Sequence, residues 1–125
     1  MTLRVLVVED DPDSLELMTY LFRAFGHEAL GAASGDTALD VASATSPDLI
    51  LCDLRLPGMD GFELLSKIKA DPGLKSIPVV AVTAYAMPGD KERVMSAGFD
   101  GYVSKPIDPQ SFVREAEAFS ARRQL

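Results

Sequence analysis

The chain is poor in the groups that hold soft metals, close disulfides or meet polyanions. Cys52 is the one cysteine among 125 residues, which excludes an internal disulfide and a thiolate metal site. It stands in an apolar run and reads as a small core residue. The one histidine, His27, follows Gly26 and reads as a turn residue after a helix stop. Basic residues are also scarce, with 12 Lys and Arg against 19 Asp and Glu and a formal charge of -7. Binding to nucleic acid needs a basic patch. Here the basic pair Arg122-Arg123 reads as a solvated tail. An acidic surface suits cations or basic partner faces instead. Long apolar runs are missing too. Residues 3–8 are interrupted by Arg4 and end in acids, too short for a signal peptide or a membrane span. The expectation is a cytoplasmic protein with no membrane and no direct nucleic-acid partner.

What is present is a globular composition, 47% hydrophobic and 25% charged. At this length residues 1–125 are expected to form one domain that buries roughly two-thirds of its unfolded surface. Neither a repeat nor a low-complexity linker divides it. Short apolar runs at 3–8, 49–52 and 79–82, with weaker ones at 28–32 and 101–103, are rich in residues that suit buried strands.

Amphipathic stretches lie between these runs. Asp11-Pro12 reads as an N-cap and first turn, after which Leu15, Met18, Phe22 and Phe25 recur on one face and Gly26 stops the helix. Further helices are expected from Ser34, with Ala38, Val41 and Ala42 inward, and from Asp60 to Ala70, with Phe62, Leu65 and Ile68 inward. Another is expected from Pro88 to Gly98. The last should start at Asp108-Pro109 and carry Phe112, Ala116 and Phe119 inside. A strand–helix unit repeated five times predicts an α/β fold: a doubly wound parallel sheet with helices on both faces and right-handed crossovers.

Ligands of such sheets bind beyond the carboxyl ends of the strands. The residues that follow the runs there are Glu9 and Asp10, then Asp53, then Thr83, then Ser104 and Lys105. The acidic segment Glu9-Asp10-Asp11-Pro12-Asp13 has two readings. Asp11 and Asp13 suit the positive end of a helix, whereas Glu9 and Asp10 precede the cap. Asp53 alone could be a capping or turn aspartate. Taken together, Glu9, Asp10 and Asp53 crowd negative charge at one edge, which a divalent cation relieves. Acids without histidine or cysteine suit a hard ion such as Mg²⁺ or Mn²⁺. Lys105 could be a surface lysine, a salt-bridge partner of Asp53 or a point charge for a phosphoryl oxygen. Thr83 could be an ordinary strand threonine or a hydroxyl donor to the same group. The chemistry that joins these readings is attack of the Asp53 carboxylate on a phosphoryl group. His27, at its turn, is not expected to be the donor.

The segments Val7-Val8-Glu9-Asp10-Asp11, Leu51-Cys52-Asp53-Leu54-Arg55-Leu56-Pro57-Gly58-Met59-Asp60-Gly61, Val82-Thr83-Ala84 and Gly101-Tyr102-Val103-Ser104-Lys105-Pro106 together give the chain a family likeness. Over nearly its full length it resembles the CheY-like receiver domain of bacterial two-component response regulators. The resemblance implies a flavodoxin-like (βα)5 sheet with strand order 2-1-3-4-5. It implies Asp53 as phosphoacceptor, and metal held by Glu9, Asp10, Asp53 and the backbone carbonyl of Arg55. It further implies Thr83, Ala84 and Lys105 at the phosphoryl group, Thr83 and Tyr102 as switch residues, and a cis bond before Pro106. On residues alone, Tyr102 is equally a partly buried strand aromatic.

The implied partners are a sensor histidine kinase or histidine phosphotransfer protein and a downstream protein target. The surface would change around the fourth helix, fifth strand and fifth helix, in a monomer or weak dimer that is not a turnover enzyme. The chain fits a stand-alone regulator or a receiver from a larger protein. Arg55 and Tyr85 are expected to tune the lifetime of the acyl phosphate. Two other function classes fit less well. A metal-dependent phosphatase or nuclease would place an acid where Arg55 stands, and a flavin-binding domain would place a Ser/Thr/Gly-rich loop where Glu9 and Asp10 stand.

Overall fold

The computed structural model describes residues 2–84 and 87–124, with side chains up to Ser120. Tyr85, and the side chains of Arg122 and Arg123, lie outside that description. The elements alternate as β1 (Arg4–Val8), α1 (Pro12–Ala24), β2 (Glu28–Ala32), α2 (Gly35–Thr45), β3 (Leu49–Cys52), α3 (Gly61–Ala70), β4 (Val79–Thr83), α4 (Asp90–Ser96), β5 (Gly101–Ser104) and α5 (Phe112–Gln124). All strand pairs are parallel, in the order β2-β1-β3-β4-β5.

Both faces of the sheet are covered, so apart from Arg4 at the start of β1 and Thr83 at the end of β4, the strands β1, β3 and β4 are continuously apolar rather than alternating. Alternate side chains enter two cores. Leu6, Val8, Ile50, Cys52 and Ala81 meet Ala38, Leu64, Ile68 and Val94 from α2, α3 and α4. Val5, Val7, Leu51, Val80 and Val103 meet Met18 and Phe22 of α1 and Phe112 and Ala116 of α5. Leu64 is as buried as Ile68, so α3 presents a wider apolar stripe than the Phe62, Leu65 and Ile68 face alone.

Side chains cap three helices: Asp11 accepts from Ser14 N–H, Ser34 from Thr37 N–H and Asp60 from Glu63 N–H. Helix α4 is different. It starts two residues after Pro88, behind Gly89 at φ +92°, and has no side-chain cap. Helix α5 starts at Phe112 rather than at Asp108, whose carbonyl first closes a turn by accepting from the amides of Ser111 and Phe112.

Two residues near the end of α1 depart from the sequence reading. Phe25 is 49% exposed, because the helix ends at Ala24 and Gly26, at φ +88°, turns the chain away. His27 is buried rather than a turn residue. Its Nδ1 accepts from Leu3 N–H at 3.0 Å, and its Nε2 lies 2.7 Å from the Glu117 carboxylate of α5. An acceptor at Nδ1 leaves the neutral ring's proton on Nε2, where it can donate to Glu117.

Candidate functional site

Parallel register brings the strand-end residues together. Val8 pairs with Cys52, so Glu9 and Asp53 emerge side by side. Asp53 N–H donates to Val8 O at 3.0 Å, and Glu9 N–H to Ala32 O at 2.9 Å. On the other side Thr83 pairs with Ser104, and Lys105 N–H donates to Thr83 O at 2.9 Å. The Lys105–Pro106 peptide bond is cis.

Gly61 fixes the loop after β3. A Cβ there would lie 2.7 Å from Asp53 O and 2.8 Å from Leu54 Cα, so α3 packs against this backbone only through glycine. The Gly61 amide also donates to Leu54 O at 3.0 Å.

The Asp53 side chain is buried and bonded through both oxygens. Oδ1 accepts from Arg55 N–H at 2.9 Å, and Oδ2 from Lys105 Nζ at 2.7 Å. The same ammonium donates to Glu9 Oε1 at 2.5 Å. Glu9 is 1% exposed, and its Oε2 accepts from Asp11 N–H at 3.2 Å. Burial pushes the Glu9 carboxyl above its usual range, against the opposing pull of Lys105. Burial also works against the charge of Lys105, but its hydrogen bonds to Asp53 and Glu9 outweigh this and hold its pKa above the ordinary value. Cys52, next to Asp53, has its thiol pushed up by burial and by nearby carboxylates, as an inert core residue should.

Glu9, Asp10 and Asp53 can each turn a carboxylate oxygen to one place, these atoms lying within 4.8 Å of one another. The donor set is all oxygen and anionic, and among these three only Asp10 is exposed. It fits a hard divalent cation. Thr83 is buried at the end of β4, and Ala84 is exposed beside it. Tyr102 is half-buried, level with Ala81, and packs against the α2–α4 core. The structure thus gathers Glu9, Asp10, Asp53, Thr83 and Lys105 at one edge and sets Tyr102 further along β5.

Two cavities flank this edge. One, of about 350 Å³, is mostly apolar and runs from Leu17 and Met18 of α1 to Lys105, Pro106 and Ile107. The other, of about 500 Å³, lies between the β3–α3 loop and α4, with Asp10, Arg55, Asp60, Phe62 and Arg93 on its walls. The sequence reading passed over Arg93. Its guanidinium lies 5.3 Å from the ring centroid of Phe62, a contact across two helices that no local spacing announces. The reading also passed over the His27–Glu117 pair, 90 residues apart.

No helix among the described residues is long and apolar enough to cross a membrane. The family model of the response regulator receiver domain matches residues 5–117. The polar-differentiation response regulator DivK of Brucella ovis is 42% identical over 119 residues, covering 95% of this chain and 97% of that one. A response regulator structure from Chloroflexus aurantiacus superposes with a TM-score of 0.90 at 33% identity, covering 98% and 100% of the two chains. The receiver domain of the Pseudomonas aeruginosa sensor histidine kinase PA1611 superposes with a TM-score of 0.87 at 30% identity, covering 97% and 99%. That structure has a magnesium ion coordinated in its active-site cleft. On the family match, the relatives and the sheet order together, this chain belongs to the receiver domain family of two-component response regulators.

Proposed function

We propose that Asp53 accepts a phosphoryl group from a sensor histidine kinase or histidine phosphotransfer protein, and that the change of charge alters a protein-binding surface. The observation that carries this reading is the Asp53 carboxylate itself. It is buried, bonded at both oxygens, and set between two further acids and a lysine. One Asp53 oxygen attacks phosphorus, and a phosphorus–oxygen bond forms as the bond to the donor's leaving atom breaks. Arg55 N–H and Lys105 Nζ orient the carboxylate. After transfer Lys105 has a phosphoryl oxygen to bind, with the Thr83 hydroxyl and the Ala84 backbone beside it.

Glu9, Asp10, Asp53 and the Arg55 carbonyl are the residues that would hold Mg²⁺ or Mn²⁺, with Glu9 acting through water. Bound there, the cation would neutralise the acids and the charge on the transferred oxygens. The magnesium in the cleft of the PA1611 receiver supports this assignment. Residues 1–125 act as one receiver domain in the cytoplasm, as monomer or weak dimer. Thr83 and Tyr102 transmit the change to the face made by α4, β5 and α5, where a downstream protein binds. The protein modifies itself and is not a turnover enzyme.

The test is intact mass after incubation with a small acyl phosphate, with and without Mg²⁺, for wild type and Asp53→Asn. A single phosphoryl adduct that needs both the cation and Asp53 is the expected result. An adduct that survives in Asp53→Asn would overturn the assignment.

A further inference from the structure

The apolar cavity beside α1 adjoins the phosphoacceptor. Its volume of about 350 Å³ is within the range of small-molecule sites, roughly 300–1,000 Å³. Ala84 and Lys105 stand in its wall together with Leu17, Met18, Pro106 and Ile107. The Lys105 ammonium lies 2.7 Å from Asp53 Oδ2, so a group transferred to that carboxylate sits at the edge of the cavity. The polar side chains on the wall are already engaged. Ser14 Oγ donates to Asp11 Oδ2 at 2.8 Å, and Lys105 Nζ is shared between Glu9 and Asp53. The rest of the lining is apolar, which suits a hydrocarbon group rather than a polar one. Leu17 is 41% exposed, so the cavity is reached from solvent without opening the core.

We propose that this cavity is the subsite for the acyl group of small acyl-phosphate donors, so that donors with a longer aliphatic chain phosphorylate Asp53 at lower concentration. The inference rests on the phosphoacceptor reading above. With the phosphoryl group between Asp53 and Lys105, the acyl chain extends along Leu17 and Ile107. As Asp53 attacks, the new phosphorus–oxygen bond forms while the bond from phosphorus to the acyl oxygen breaks. The electron pair leaves on the carboxylate of the departing acid, and no proton has to move. The chain takes no part in this exchange and is as buried before transfer as during it. Its contribution is uniform binding, which lowers KM and leaves kcat alone. Burial of one methylene corresponds to about a fourfold gain in affinity.

The experiment measures initial rates of Asp53 phosphorylation by intact mass at fixed Mg²⁺, with acetyl, propionyl and butyryl phosphate. Their leaving carboxylates are of nearly equal basicity, so the series varies the chain and not the chemistry. Phosphoramidate, which has no acyl group, is the control donor. Wild type is compared with Leu17→Gln and Ile107→Gln, which place an amide on the apolar wall, and with Leu17→Met, which keeps the wall apolar. In wild type kcat/KM should rise about fourfold per added methylene, through KM. The butyryl-to-acetyl ratio should fall severalfold in both glutamine variants and stay near wild type in Leu17→Met, with the phosphoramidate rate of Leu17→Gln unchanged. A flat series in wild type would overturn the subsite and leave the groove to apolar side chains of a protein donor. A butyryl-to-acetyl ratio unchanged in both glutamine variants would also overturn it, even if every donor slowed together. Both outcomes leave the phosphoacceptor reading intact. If wild type takes up no phosphoryl group on Asp53 from any donor, that reading fails first and the subsite with it.

Discussion

Replacing Gly61 by alanine should injure both the fold and the chemistry, because one added methyl collides with the backbone that carries Asp53. The new Cβ would lie 2.7 Å from Asp53 O and 2.8 Å from Leu54 Cα, and neither atom can rotate away. The start of α3 or the β3–α3 loop has to move instead, against the bond from Gly61 N–H to Leu54 O. Overpacking of this kind costs about 1–3 kcal/mol. Alanine recovers a fraction of a kcal/mol through helix propensity at this first helical position. A net loss of about 2 kcal/mol, at an unfolding entropy of about 2.1 cal/mol/K per residue, lowers Tm by about 8 °C for 125 residues. Gly26→Ala is the comparison. Gly26 has φ +88° and nothing within 4 Å of its added Cβ, so only the left-handed backbone resists, at about 1 kcal/mol. Thermal unfolding by circular dichroism should show both losses. Only Gly61→Ala should also slow phosphorylation by a small acyl phosphate, since only there does the Asp53 backbone shift. If Gly61→Ala unfolds within about 2 °C of wild type and is phosphorylated at the wild-type rate, the steric reasoning is wrong.

Three further outcomes follow from charge and burial. Asp10→Asn relieves like-charge crowding at the exposed edge of the site and should raise the Tm in chelator by about 4 °C, roughly 1 kcal/mol after solvent screening. The rise in Tm on adding Mg²⁺ should shrink in the same variant. Lys105→Met leaves Glu9 and Asp53 without their shared cation, and stability in chelator should fall by about 3 kcal/mol by denaturant titration. Millimolar Mg²⁺ should restore part of that loss, and no response to Mg²⁺ would count against a cation site. His27→Ala removes the acceptor of Leu3 N–H and the partner of Glu117, and should cost about 2–4 kcal/mol. Phosphorylation should keep its wild-type rate there, because His27 sits at the opposite end of the sheet from Asp53.

The sequence spoke most clearly where one physical demand acted alone. The runs at β1, β3 and β4 are apolar because both faces of the sheet are covered, and such runs read the same in isolation as in place. The strand-end acids were visible for a related reason: a charge that closes a buried strand stands out against it. Legibility failed where the exact turn at a helix end, or a distant partner, decides. Helix α4 begins late because Gly89 at φ +92° sets its start, not Pro88. Helix α5 waits for the turn that Asp108 closes before it winds. Phe25 fits the period of α1 but stands beyond its end. His27 reads as a turn residue in the sequence because its partners, Leu3 and Glu117, are 24 and 90 positions away. The charge shared by Lys105, Glu9 and Asp53 lies between these cases. A pairing of Lys105 with Asp53 was foreseeable from the strand order, and its reach to Glu9 required the actual register.

The buried imidazole also bears on how the molecule transmits force. His27 bolts the beginning of β1 and the end of α1 to α5, on the rim of the sheet away from the acids. Helix α4, beside the acids, has seven residues, and the side-chain bond at its start is local, from Met87 N–H to Asp90 Oδ2 at 2.8 Å. The tie on the far rim spans 90 positions, whereas the tie at the start of α4 spans three. A push delivered at Asp53 would meet α5 held at its far side by His27, and α4 held at its start only by a local bond. The protein resembles a propped cantilever, clamped at one end and only pinned at the end next to the point of loading.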